Sequence, residues 1–203
     1  MVPSLKDELR GEALPEFTLT LPPGWTRSAP TSQVRDEMLA AAKRRLMAAH
    51  RPDLYAQLGP LLARAFSDME RTETVAFFAP GPEAAESDFL PATLTASVRR
   101  GENGVSLDSA MAELIRHEGA TALGDDKRIL RWERESAETL EGVHVPTTTV
   151  AYFVPVPKTG RKRALQFTLV ITHDNDPRDD GSYLRALKAL FDAHLSTFSW
   201  LPA

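Results

Sequence analysis

Along the chain, apolar residues alternate in some stretches and recur every three or four residues in others, and the two rhythms predict strands and helices. Residues 1–13 are polar and aperiodic and read as a flexible lead-in. Phe17, Leu19 and Leu21 share one side of a half-buried strand over residues 17–21, which Pro22, Pro23 and Gly24 end with turn chemistry. Trp25 is expected to cover the edge of the core. Thr31 or Ser32 suits the N-cap of a helix reaching about His50, with Val34, Met38, Ala41, Ala42 and Leu46 as a moderate stripe. Pro52 suits the first turn of a second helix, with Arg51 held outside helical geometry before it. On that helix Leu54, Leu58, Leu61, Leu62, Ala65, Phe66 and Met69 form a wide apolar face that must meet another element. Pro60 removes one backbone hydrogen bond and is a place for a bend. The pair predicts an antiparallel helical hairpin over residues 31–71.

Strands follow at residues 74–79 and 89–99, the second with Leu94, Ala96 and Val98 on one face. After a turn at 101–104 comes a helix capped by Ser106 or Asp108. It carries Leu107, Met111, Leu114 and Ile115 and ends near Gly119. The last third reads as a meander. Ile129, Arg131 and Glu133 alternate with Leu130, Trp132 and Arg134. A β-branched and aromatic run fills 147–156, and residues 158–160 turn into a strand over 164–172. The closing helix carries Leu184, Leu187, Phe191, Leu195 and Phe198. Short turns between neighbouring strands imply a largely antiparallel sheet, and helices segregated from strand runs imply an α+β fold flanked by helices. One domain over residues 14–203, with the hairpin inserted, is the simplest organisation.

With 203 residues, 42% of them hydrophobic and none of them cysteine, the chain can build a core but no disulfide or thiolate metal site. The net charge of −4 gives no basic footprint for nucleic acid, and the runs Lys43-Arg44-Arg45 and Arg161-Lys162-Arg163 are short. No apolar run approaches a membrane span, and the N-terminal residues lack a signal-peptide pattern. The expected location is cytoplasmic, or exported if a signal precedes the sequence.

Catalytic signatures are missing. There is no phosphate-binding glycine loop and no nucleophile elbow, and His117-Glu118 does not continue into a zinc motif. Asp174, Asp176, Asp179 and Asp180 have the oxygen chemistry for Ca²⁺ or Mg²⁺, but their spacing fails the calcium-loop pattern and suits the start of the closing helix. Glu133, Glu135, Glu138 and Glu141 read as the solvent side of a strand, and His194 as a half-buried packing residue. Trp25, Trp132 and Trp200 are candidates to line a pocket, or else to seal the core.

The run Val150-Ala-Tyr-Phe-Val-Pro-Val-Pro157, then Leu165-Gln-Phe-Thr-Leu-Val170 and the closing Thr197-Phe-Ser-Trp200 resemble the Mog/PsbP-like family, as does the early Phe17-Thr-Leu-Thr-Leu-Pro-Pro-Gly-Trp25. That family includes a photosystem II extrinsic protein, a nuclear factor that binds the GTPase Ran, and bacterial lipoproteins of the LpqN and DcrB kind. The resemblance implies an α/β/α sandwich in a family of binding proteins, and the hairpin over 31–71 is longer than the family pattern. No catalytic, cofactor or metal residue is carried over. The expectation is a non-catalytic binding or adaptor protein without a cofactor. It would meet another protein, or a second copy of itself, through Leu54, Leu58, Leu61, Leu62 and Phe66. The alternative is a carrier of a small molecule or lipid in an apolar pocket between sheet and helices. An enzyme would need a cleft that gathers Asp, Glu or His from distant segments.

Overall fold

The computed structural model describes residues 14–81, 84, 85, 88, 90–140, 143–173 and 181–202. In chain order the strands are β1 (Phe17–Thr18), β2 (Trp25–Ser28), β3 (Thr74–Pro80), β4 (Ala92–Arg100), β5 (Thr121–Leu123), β6 (Asp126–Leu140), β7 (Val143–Pro155), β8 (Arg163–Thr172) and β9 (Ser199–Trp200). The helices are α1 (Ser32–Ala48), α2 (Pro52–Arg71), α3 (Asp108–His117) and α4 (Ser182–Ser196). Seven strands form one sheet in the order β2-β3-β4-β8-β7-β6-β5, every neighbour antiparallel, and β1 pairs with β9 apart from it.

Alternation decides which face each strand buries. On the inner face Phe167 of the middle strand β8 lies between Ala96 of β4 and Tyr152 of β7, and Leu169 lies between Leu94 and Val150. These six side chains are essentially sealed from solvent. Helix α4 covers them with Leu187, Phe191 and Leu195, residues of the predicted stripe. Each large apolar side chain so buried contributes about 1.5–3 kcal/mol.

Trp25 seals the core at the edge of the sheet. It opens the edge strand β2, and its ring sits in the core, centroid 5.3 Å from Phe191, with the indole Nε1 donating to the Asp88 carbonyl. The strand expected over 17–21 is ladder-paired only at Phe17 and Thr18, opposite Trp200 and Ser199. Leu19 and Leu21 still face the core, but beyond Thr18 the chain is held by a side chain. The Thr20 amide donates to the Thr197 hydroxyl. Phe17, Phe198 and Trp200 pack ring against ring with centroids 5.0–6.0 Å apart, so the two ends of the described chain close together as an aromatic clasp, with Phe17 and Phe198 also packed on Phe167 of β8.

The helical hairpin is an insertion in a literal sense. Strands β2 and β3 are direct antiparallel neighbours, with Ser28 opposite Phe77, a connection that a short turn would satisfy. The chain instead leaves the sheet, forms α1, turns at residues 49–51 and returns through α2. Thr31 is the N-cap of α1 and accepts from the Val34 amide. Helix α2 runs on through Pro60. Its hold on the sheet is Phe66, packed edge-on against Phe77 of the outer face, centroids 5.7 Å apart. Helix α3 lies on the same outer face, over β6 and β7. The architecture is an α+β sandwich with one helix inside and three outside. Among the described residues no helix is long and apolar enough to cross a membrane.

Candidate functional site: the cleft beneath helix α3

Strand β7 is apolar on both faces. Val150, Tyr152 and Val154 point into the core, so Ala151 and Phe153 point outward, beside Trp132 and Leu130 of β6. That outer patch needs cover, and the ten residues of α3 supply it incompletely. Leu107, Met111, Ala112 and Leu114 face the sheet but none is fully buried, and Ile115 stays 53% exposed. An amphipathic helix with no buried residue, set above an aromatic and aliphatic floor, leaves space on both sides of itself. One cavity of about 660 Å³ is bounded by Met111, Ile115, Leu130, Phe153 and Pro155. Another of about 890 Å³ reaches Trp132, Ala151, Leu114 and Gln166. Leu107, Met111 and Phe153 border both, so the two volumes make a cleft on either side of the helix with these three side chains between them. Both lie within the usual range of small-molecule sites, about 300–1,000 Å³.

The position of α3 is set by the loop before it. The Gly101 amide donates to the Lys162 carbonyl at 2.9 Å and the Leu107 amide to the Arg161 carbonyl at 2.9 Å, so the loop hangs on the turn leading into β8. A Cβ on Gly101 would run into the carbonyl oxygen of Val105, so glycine is required there by close approach and not by its backbone angles. The helix begins at Asp108 with Leu107 as its N-cap and no side-chain cap bond, so neither Ser106 nor Asp108 caps it; Ser106 instead accepts from the Asp108 amide in the turn before it.

The cleft has unequal ends. Lys127, Arg128, Arg161 and Arg163 line the smaller cavity, against the single carboxylate of Asp108. Glu102, Glu113 and Glu118 line the larger one, beside Arg99 and Arg100. Arg161 meets Asp108 at 3.3 Å, and Arg128 meets Asp126 at 2.8 Å.

The three tryptophans do not converge. Trp132 lies on the outer face in the larger cavity, with the Arg134 guanidinium 5.8 Å from its ring centroid. Trp25 is in the core of the opposite face. Trp200 borders a third hollow of about 220 Å³ with Phe198, Val154 and Ile129, and its indole donates to the Pro155 carbonyl. Of the α2 stripe, only Phe66 is buried. Leu58 and Leu62 are half-buried between the helices, while Leu54 and Leu61 are 36% and 48% exposed.

One polar cluster gathers residues from distant segments. On the inner face Arg131 and Glu133 of β6 meet Asp192 and Lys188 of α4. Arg131 Nε donates to Asp192 at 2.9 Å, its Nη2 donates to Glu133 at 2.7 Å, and Lys188 donates to Glu133 at 3.3 Å. The buried Tyr152 hydroxyl donates to Asp192 at 2.6 Å. Burial pushes the Tyr152 phenol far above its ordinary value, and the Asp192 carboxylate adds to that. Burial opposes ionisation of Glu133, but Arg131 and then Lys188 outweigh it and hold the carboxyl below its usual range. These groups satisfy one another and line none of the three cavities. Their arrangement ties α4 to the sheet.

Among the described residues no group of three or more His, Asp or Glu side chains is placed to hold a metal ion. The stretch 174–180, Glu141 and the side chains of Glu138 and His144 lie outside the described residues, as does the lead-in 1–13. His173 sits 3.2 Å from the Thr148 hydroxyl, and His194 is half-buried on α4. Floor residues such as Phe153 and Leu130 read in the sequence only as strand members. Their signal is that the 147–156 run is apolar on both faces, which demands an outer cover that ten helical residues cannot complete.

No protein-family model matches the chain, and no curated protein matches it significantly.

Proposed function

We propose that this chain is a non-catalytic binding protein that takes its ligand in the cleft beneath α3. The observation that carries this reading is an amphipathic helix with no buried residue, held over Leu130, Trp132 and Phe153 with open volume on both sides. Concave, mostly apolar sites with a few charged groups at the mouth are the usual form of small-molecule pockets. The Mog/PsbP-like resemblance supports the same class. Its most telling residues, Thr197 and Trp200, do structural work in the clasp.

A second reading is a protein contact along α2, either with a partner or with another copy of the chain. The exposure of Leu54 and Leu61 on one side of the hairpin favours it. One experiment separates the two. The neutral apolar dye Nile red is titrated into the protein and into two variants of it. Met111→Trp fills the cleft, and Leu61→Glu places a charge on the hairpin. Loss of dye fluorescence in the Met111 variant alone supports the cleft, provided its thermal melt stays cooperative. Loss in the Leu61 variant alone defeats the cleft reading and moves the site to α2. For self-association, sedimentation over a concentration series would show a dimer that Leu61→Glu dissociates.

A further inference from the structure

Resting on the reading of the cleft as a ligand site, we propose that its ligand is an amphipathic anion. The acidic head lies at the Lys127–Arg161 end of the smaller cavity, and the apolar tail lies along Met111, Leu130 and Phe153.

The case begins with charge. The chain carries a net −4, yet the smaller cavity is lined by four cationic side chains and one carboxylate. The larger cavity carries no such excess: Glu102, Glu113 and Glu118 stand beside Arg99 and Arg100, and Glu113 is paired with Arg116 at 2.6 Å. An anionic head in the smaller cavity therefore meets an excess of positive charge that the larger cavity does not offer, which orients the ligand as well as holding it. Low-dielectric apolar walls focus that field. Away from the cations the smaller cavity is bordered by Leu107, Met111, Ile115, Leu130 and Phe153, a stretch fit for methylene groups and unfit for a second polar group.

The cations at the head end are available in different degrees. Arg128 shares its charge with Asp126. Lys127 is exposed at the rim. The Arg161–Asp108 contact is 3.3 Å long, and both side chains are more than half exposed, the kind of pair that contributes little and exchanges readily. A carboxylate or sulfate head placed there can take over the guanidinium from Asp108 with better, bidentate geometry. Arg161 also lies on the turn whose carbonyl holds Leu107, so the residue that would meet the head sits beside the hinge of α3.

The test is calorimetric titration of the full chain with decanoate, decanol and decyltrimethylammonium, each below its micelle concentration. The three probes share one tail and differ in head charge. Decanoate should bind about ten-fold tighter than decanol, the scale of one or two charge-assisted contacts at a partly exposed site. Added salt should reduce that margin, and decyltrimethylammonium should bind weakest. The double variant Lys127→Glu, Arg161→Glu changes two exposed side chains. It should abolish the preference for decanoate and leave decanol binding where it was, with an unchanged thermal melt. Equal binding of decanoate and decanol overturns the anion assignment and leaves the cleft reading standing. Decanoate binding that survives the double variant overturns the placement of the head. Preference for the ammonium probe overturns the polarity, and failure of all three probes to bind overturns the cleft reading itself.

Discussion

Tyr152 shows how much one buried hydroxyl can fasten. It is fully enclosed by the sheet and α4, and its hydroxyl donates to Asp192, which also receives Arg131. Removing the hydroxyl in Tyr152→Phe deletes one hydrogen bond to a charged acceptor and leaves Asp192 still paired, at a cost of about 1–2 kcal/mol. Asp192→Ala strands the buried phenol and takes one of two carboxylates from the half-buried Arg131, which keeps Glu133, and should cost about 2–4 kcal/mol. Thermal melts at pH 7 should rank the two in that order. Their pH dependence follows from the direction of each shift. The folded Tyr152 phenol titrates above its ordinary value of 10, so its contribution is complete below pH 10 and is lost as pH rises beyond that. Glu133 titrates below its ordinary 4.5, so its contribution is complete above pH 4.5 and is lost as pH falls through the lower folded value. Tyr152→Phe should flatten the alkaline limb of the melting curve and Glu133→Gln the acid limb. An unchanged acid limb in Glu133→Gln would show that the Arg131 and Lys188 contacts do not form in solution.

At the scale of elements, the hairpin and the sheet are separable on physical grounds. Strands β2 and β3 pair directly, and the inserted helices reach the sheet chiefly through the Phe66–Phe77 contact. Replacing residues 32–73 by Asn-Gly, which sets Thr31 opposite Thr74 in the native β2–β3 register, with Phe77→Thr to remove the exposed ring, should leave a chain that still melts cooperatively with near-native β signal. Loss of cooperative melting would mean that the hairpin is part of the core. The same elements mark the limits of the sequence pattern. Long runs with a clear period were legible: α4 from Leu187, Phe191 and Leu195, and β8 from its buried alternate residues. Strands of two to four residues, such as β2, β5 and β9, hold too few positions to show a period and exist because a neighbour pairs with them. The far halves of β6 and β7 were missed for another reason. Before Thr147 strand β7 pairs with β6 and not yet with β8, so neither strand there lies between sheet neighbours that would impose an apolar face. The cleft was illegible altogether, because it arises from a mismatch in size between a two-faced apolar strand and a ten-residue helix that are separate in sequence.

Across the whole molecule, stability should fall off from the inner face to the outer one. The inner face holds a continuous apolar cluster from Trp25 through Phe167 to Leu195, closed by α4 and the aromatic clasp. The outer face holds α1 and α3 with no buried residue and α2 with one. Helices that bury little apolar surface open without global unfolding, because little transfer free energy opposes their local fraying. Hydrogen exchange read by mass spectrometry should therefore divide the chain in two. Peptides from β4, β7, β8 and α4 should exchange only at the rate of global unfolding, and those from α1, α2 and α3 orders of magnitude faster. Saturation with decanoate should slow exchange in α3 and in residues 101–107, which carry it, and leave α1 and α2 unchanged, since they lie outside the cleft lining. Uniform protection across all four helices would contradict this layered picture, and protection gained in α2 on adding decanoate would place the ligand along the hairpin instead.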